Sequence, residues 1–197
     1  MEYYQRRKEQ ARQTEQAILQ AALELCRTRS FDKVSVRDIC RRAGITTGAF
    51  YHHFSSKEDL LSQGFTPLDR QMERALDGHE GDPAQDRLGR ILSTYALFVD
   101  TLGWELAARY YQHRLDNPDD AASVDPTRYT LRAILDCLEQ GRREGLLSEG
   151  IAPQWAADFC FRHFRGVVID WILHRGGYPL LAKLEQDYTF FQKAFRA

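Results

Sequence analysis

Tyr51, His52 and His53 stand side by side in GITTGAFYHHFSSKEDLL (45–62), preceded by Thr46-Thr47-Gly48 and followed by Lys57. Residues of these types can ligate a metal, shuttle a proton or meet nucleic acid. Spacing separates the three. Neighbours on a helix point about 100° apart, so His52 and His53 cannot close on one ion. The six histidines (52, 53, 79, 113, 163, 174) include no i, i+4 pair of the kind that holds zinc on one helix face. There is no phosphate-cradling glycine loop, no GxSxG and no Cys–His framework. No catalytic residue, metal ligand or cofactor is therefore assigned. The four cysteines (26, 40, 137, 160) form no CxxC pair and sit in apolar, helix-like stretches, which predicts buried free thiols.

The elements that must position this stretch read as helices. Sustained alternation is absent, and turn residues fall at helical intervals. Ile18, Ala21, Ala22 and Leu25 line one face of a first helix running from about Thr14. Ser35 and Asp38 form a capping box ahead of a second, whose apolar face is Val36, Ile39, Cys40 and Ala43. Gly44 ends it, Thr46 caps a short third helix, and Ser56 with Asp59 opens a fourth to about Leu76. A hinge at GHEGDP (78–83) leads to a fifth helix ending near Leu102 and a sixth from Trp104. A polar loop at 116–126 precedes three more helices, the last two from about Pro153 and Pro179. The expected fold is all-α, about nine helices. A three-helix N-terminal domain (1–56, with a basic arm at 1–12) precedes a larger helical domain (57–197).

Composition bounds the function. Hydrophobic residues at 43% and charged residues at 28% describe a globular protein rather than a disordered one. No apolar run approaches the ~20 residues of a membrane span, and MEYYQRRKEQAR contains no apolar leader, so a cytoplasmic protein is expected. Residues 1–60 hold 11 Lys and Arg against 8 Asp and Glu, whereas the rest hold 16 against 20. The N-terminal part is the one suited to an anionic partner.

Two short helices joined at a glycine make a helix-turn-helix, whose second helix enters the major groove. With Ile45, Ala49, Phe50 and Phe54 turned inward, Thr46, Thr47, Gly48, Tyr51, His52 and His53 face outward or lie at the edge. Hydroxyls suit phosphates and base edges, and glycine admits close backbone approach. Lys57, in the first turn of the next helix, opposes the helix dipole, a cost that a nearby phosphate would offset.

The run RRAGITTGAFYHHFSSKEDLL, with VSVRDIC upstream, resembles the DNA-binding signature of the TetR family of transcriptional regulators. The matching positions are Ala43-Gly44-Ile45-Thr46, Gly48, Tyr51-His52-His53-Phe54 and Lys57-Glu58-Asp59-Leu60. Ser30-Phe31 and Cys40 depart from the family's usual Gly-Tyr or Gly-Phe and Ala, away from the reading surface. The resemblance implies that Thr46, Thr47, Gly48, Tyr51, His52 and His53 meet DNA, with Ser35, Arg37 and Lys57 on phosphates. Arg6, Arg7 and Lys8 of the arm are expected to add backbone or minor-groove contacts.

The helix beginning near Trp155 is apolar on two sides, one suited to its own domain and one to a second subunit. The last helix carries a 3-4 spaced apolar seam. The resemblance implies dimerisation through these two helices. The assigned contacts are Phe161, Phe164, Val168, Trp171 and Ile172, with Leu181, Leu184, Tyr188 and Phe191. Polar-tipped aromatics in the fifth to eighth helices suggest an effector pocket lined by Tyr95, Phe98, Val99, Trp104, Tyr110, Tyr111, His113, Trp155, Phe159 and His163. The expected function is that of a homodimeric repressor on a palindromic double-stranded operator, released by a small, largely apolar effector. The alternative is a DNA-bound interaction protein controlled by a protein partner.

Overall fold

The computed structural model describes residues 2–63, 66–117, 125 and 127–195. Among these are nine α-helices, no strand, and a 3-10 turn at Phe31–Lys33. The helices are α1 Glu2–Cys26, α2 Val36–Ala43, α3 Thr47–His53, α4 Asp59–Ser62, α5 Thr66–Leu76, α6 Ala84–Asp116, α7 Tyr129–Arg143, α8 Pro153–Leu173 and α9 Leu180–Phe195. No helix among the described residues is long and apolar enough to cross a membrane. Most of the polar loop expected at 116–126 lies outside the described residues.

The chain divides into two compact units, Met1–Gly64 with Glu105–Pro118, and Phe65–Trp104 with Asp119–Ala197. In the first, Ile18, Ala21 and Ala22 of α1 pack with Val34, Ile39, Cys40, Phe50, Phe54 and Leu60 in one apolar core. Every helix of the unit's first 60 residues contributes to it, which is how such short helices hold together. α1 starts at Glu2 rather than near Thr14. Residues 2–13 carry no apolar periodicity, but they are mostly good helix formers without a breaker, and Arg12 pairs with Glu9 one turn back.

The second unit is built from α5, α7, α8, α9 and the first part of α6. Helix ends are tied by side chains distant in sequence. Glu144 accepts a hydrogen bond from the Ala84 N–H at the start of α6 (3.0 Å). The Asp82 side chain, two residues ahead of α6, bonds His79 instead. The Asp69 carboxylate of α5 accepts from the Thr130 N–H and hydroxyl and from Arg128 Nε. Gly103 interrupts α6 with φ 75° and ψ 155°. There the chain passes from the second unit to the first.

α8 is where the expected orientation and the structure differ. Phe161, Phe164, Val168 and Trp171 of α8, and Leu184 of α9, lie in the chain's own core. Ile172, Leu181, Tyr188 and Phe191 are half-buried. The opposite stripe of α8 faces solvent, with Trp155 50%, Ile169 44% and Leu173 76% exposed. Both sides of this helix are apolar, so the hydrophobic pattern cannot tell inside from outside.

Candidate nucleic-acid interface and ligand cavity

The turn between α2 and α3 is made by local chemistry. Ser35 Oγ accepts from the Asp38 N–H (3.2 Å), and Asp38 accepts from the Ser35 N–H (3.2 Å) and hydroxyl (2.7 Å). Those hydrogen bonds from Ser35 hold the Asp38 carboxyl below its ordinary range. Gly44 ends α2 at φ 69°, ψ 32°, a left-handed conformation that only glycine adopts at little cost. Ile45 N–H then bonds the Cys40 carbonyl (3.0 Å). Thr46 Oγ1 caps α3 through the Ala49 N–H (3.1 Å).

Burial then sorts the residues of α3. Phe50 and Phe54 are 0% and 1% exposed, with their rings 5.6 Å apart. That anchorage turns Thr46, Thr47, Gly48, Tyr51 and His52 outward, with His53 half-buried. Tyr51 is 57% exposed and lies edge-on to Phe50 at 5.4 Å, so the core orients a side chain that faces solvent. The His52 and His53 rings are almost perpendicular at 82°. A Cβ on Gly48 would meet nothing nearer than Thr46 Oγ1 at 3.8 Å. The fold itself therefore does not require glycine there.

The flanking positions divide. Arg37 is exposed. Ser35 is exposed too, with its hydroxyl engaged in the capping box. Lys57 is held inside the unit: its ammonium donates to the Phe31 carbonyl (3.0 Å) and lies 4.7 Å from the Phe31 ring centroid. This cation closes the 3-10 turn onto the start of α4, a role invisible in the local spacing. Arg6, Arg7 and Lys8 lie on an exposed stretch of α1.

The residues expected to line one pocket are distributed over the chain. Tyr110, Tyr111 and His113 belong to the first unit. Tyr95, Phe98 and Val99 are at most 3% exposed, in the core of the second. Trp104 is half-buried, and Trp155 is half-exposed and stacks on Phe159 at 5.3 Å. Of the set, only His163 lines the cavity that the second unit does contain. That cavity has a volume of about 50 Å³. Leu88, Ile91 and Leu92 of α6, Ile134 and Leu138 of α7, and Leu146 and Leu147 form its aliphatic walls. Cys160 and Phe164 of α8 and Leu184, Tyr188, Phe191 and Gln192 of α9 close it. The α9 residues had been legible as an apolar seam, but their spacing does not say what the seam faces.

Comparison with known proteins bears on both sites. Residues 18–63 match the family model described as bacterial regulatory proteins, tetR family. The HTH-type transcriptional regulator TtgR of Pseudomonas putida is 26% identical over 192 residues, covering 92% of this chain and 90% of that protein. Among solved structures, a TetR-family regulator from Rhodococcus sp. shares the fold at TM-score 0.68 and 19% identity, covering 94% of this chain and all of that one. Thermus thermophilus FadR, a transcriptional repressor in complex with lauroyl-CoA, superposes at TM-score 0.61 and 20% identity, covering 89% of this chain and 91% of its own. Residues 18–63, which hold the helix-turn-helix that presents α3, are therefore a tetR-family DNA-binding domain, and the chain as a whole is similar to TetR-family transcriptional regulators.

Proposed function

We propose that the protein is a repressor that binds a palindromic operator as a homodimer and is released by a small effector held in its second unit. The observation that carries the DNA-binding part is the sorting of α3. Phe50 and Phe54 anchor the helix in the core, while Thr46, Thr47, Gly48, Tyr51 and His52 stand free to enter a groove. Arg37 is the nearby candidate for phosphate.

The exposed stripe of α8 supports dimerisation, and Phe190 of α9 is a further large apolar side chain at 66% exposure. Apolar side chains at 155, 159, 169 and 173 recur on one helical face, and Gly166 on that face leaves space for a second helix. A patch of this kind marks an interaction surface, and two-fold pairing of identical helices is the simplest way to cover it. Release is a two-state equilibrium: an effector with differential affinity shifts the chain to a state in which the two reading helices no longer match the half-sites. This reading implies action in the cytoplasm and asks for no catalytic group.

Selection of binding sites from a random duplex pool by the full-length protein tests this. The expected product is a two-fold symmetric site whose affinity falls steeply with salt. Recovery of no site, or of an asymmetric one bound by a monomer, would sink it. A second reading, control by a protein partner, draws support from the filled interior around Tyr95, Phe98 and Val99. Operator release by a small molecule in a purified system decides against it.

A further inference from the structure

The cavity between α6, α7, α8 and α9 has a chemistry that narrows its ligand. Its walls are eight Leu and Ile side chains with Phe164 and Phe191, and no Lys, Arg, Asp or Glu lines it. His163 is the one lining side chain that meets a carboxylate. Its Nε2 lies 3.0 Å from Asp187 Oδ2, while the other Asp187 oxygen takes Lys183 at 2.9 Å. The Nε2 of this ring is therefore already engaged by protein. Burial pushes the Cys160 thiol up to about 11 and the Tyr188 hydroxyl up to about 12, so both are neutral.

Tyr188 brings polar contacts to the lining. The Tyr188 hydroxyl donates to the Gln85 backbone carbonyl at 3.4 Å, a long bond, and Gln192 bonds the phenolic oxygen. A ligand oxygen at the usual 2.7–2.8 Å would be a better acceptor for that proton. The volume, about 50 Å³, holds roughly four water-sized groups at 10–15 Å³ each. That suits a short hydrocarbon chain and falls short of the ~300 Å³ of a drug-sized ligand.

We propose that this cavity is the effector site and takes an uncharged, short-chain aliphatic molecule carrying one hydrogen-bond acceptor, such as a ketone, ester, amide or alcohol. Its role as effector rests on the regulator reading above; its ligand chemistry does not. An ionised headgroup would be buried without a partner, which costs far more than a short chain gains. This departs from a coenzyme A thioester, whose phosphates would find no cation in the lining.

The test uses full-length protein with 2-butanone and 1-propanol against propanoate and propylammonium, following binding by protein-observed NMR and thermal shift. The neutral pair should bind at least tenfold more tightly than the charged pair. Cys160→Phe, which fills the cavity, should abolish butanone binding. Tyr188→Phe, which keeps the ring and so the packing, should weaken it about fivefold. Charged congeners binding as well as neutral ones, or butanone affinity unmoved by Tyr188→Phe, would overturn the assignment. Operator affinity is read in parallel by anisotropy. Tyr188-dependent butanone binding that leaves operator affinity unchanged overturns the effector role alone. A chain that binds butanone but selects no operator supports the cavity chemistry and refutes the regulator reading.

Discussion

Thr130, only 1% exposed at the start of α7, gives both its backbone N–H (3.1 Å) and its hydroxyl (2.6 Å) to one oxygen of Asp69 on α5. The other oxygen takes Arg128 Nε at 2.9 Å. α7 has no side-chain cap of its own, so a carboxylate from another helix caps it. That joins α7, a wall of the cavity, to α5. Asp69→Ala leaves a buried donor set unpaired and should lower stability by about 3 kcal/mol in urea denaturation. Asp69→Asn keeps one acceptor oxygen and should cost roughly 1 kcal/mol. Equal losses in the two variants would mean that the carboxylate's acceptors are not what holds these helices.

Lys57 separates a structural cation from a DNA contact. Its ammonium is committed to the Phe31 carbonyl and ring. Lys57→Ala should lower stability by about 1–2 kcal/mol while leaving the salt dependence of operator binding near that of the parent. Arg37→Ala should do the reverse, reducing the slope by about one unit. A salt titration in which Lys57→Ala flattens the slope would return this lysine to the phosphates.

Position 51 and position 48 report on the reading surface itself. Tyr51→Ala should weaken operator binding by about 1–3 kcal/mol with little change in melting temperature. Phe50→Ala, its buried neighbour, should instead cost about 3–5 kcal/mol of stability. Gly48→Ala has room in the fold and gains helix propensity of up to about 1 kcal/mol, yet should weaken operator binding if DNA backbone approaches there. Gly48→Ala binding as tightly as the parent would remove that close approach.

The exposed face of α8 predicts how assembly fails. Ile169→Glu leaves the core intact and should convert a dimer to a folded monomer by light scattering, because burying an unpaired charge opposes association. Leu184→Glu, with its side chain 0% exposed, should unfold the chain instead. A dimer that survives Ile169→Glu and Trp155→Glu places the contact elsewhere.

Acid should act on the helix-turn-helix through Asp38. Its folded pKa is lowered by hydrogen bonds from Ser35, so its contribution is present above the unfolded value of about 3.9 and is lost as pH falls through the folded one. Helicity followed from pH 5 to pH 2 should drop in the parent. Asp38→Asn should begin less stable and change less across that range. An identical acid profile for both would remove Asp38 from the account.

The helix-turn-helix was legible because its signals are local. Ser35 with Asp38, the left-handed Gly44, the Thr46 cap and the 3-4 spacing of apolar residues all act within about ten residues of where they stand, and spacing alone is enough to place them. The sequence by itself therefore determined the all-helical class, the turn and the outward set on α3. Tertiary structure decided the rest. A helix apolar on both sides, as α8 is, carries no information about which side is inside, so the burial of Phe161, Phe164, Val168 and Trp171 was set only by what packs on them. The ties of Asp69 to Thr130, Glu144 to Ala84 and Lys57 to Phe31 span 61, 60 and 26 residues. No local period encodes a partner that far away. The same holds for the cavity, whose lining from five segments exists only once α6, α7, α8 and α9 have packed, because a void is what remains when side chains from distant elements fail to fill the space between them.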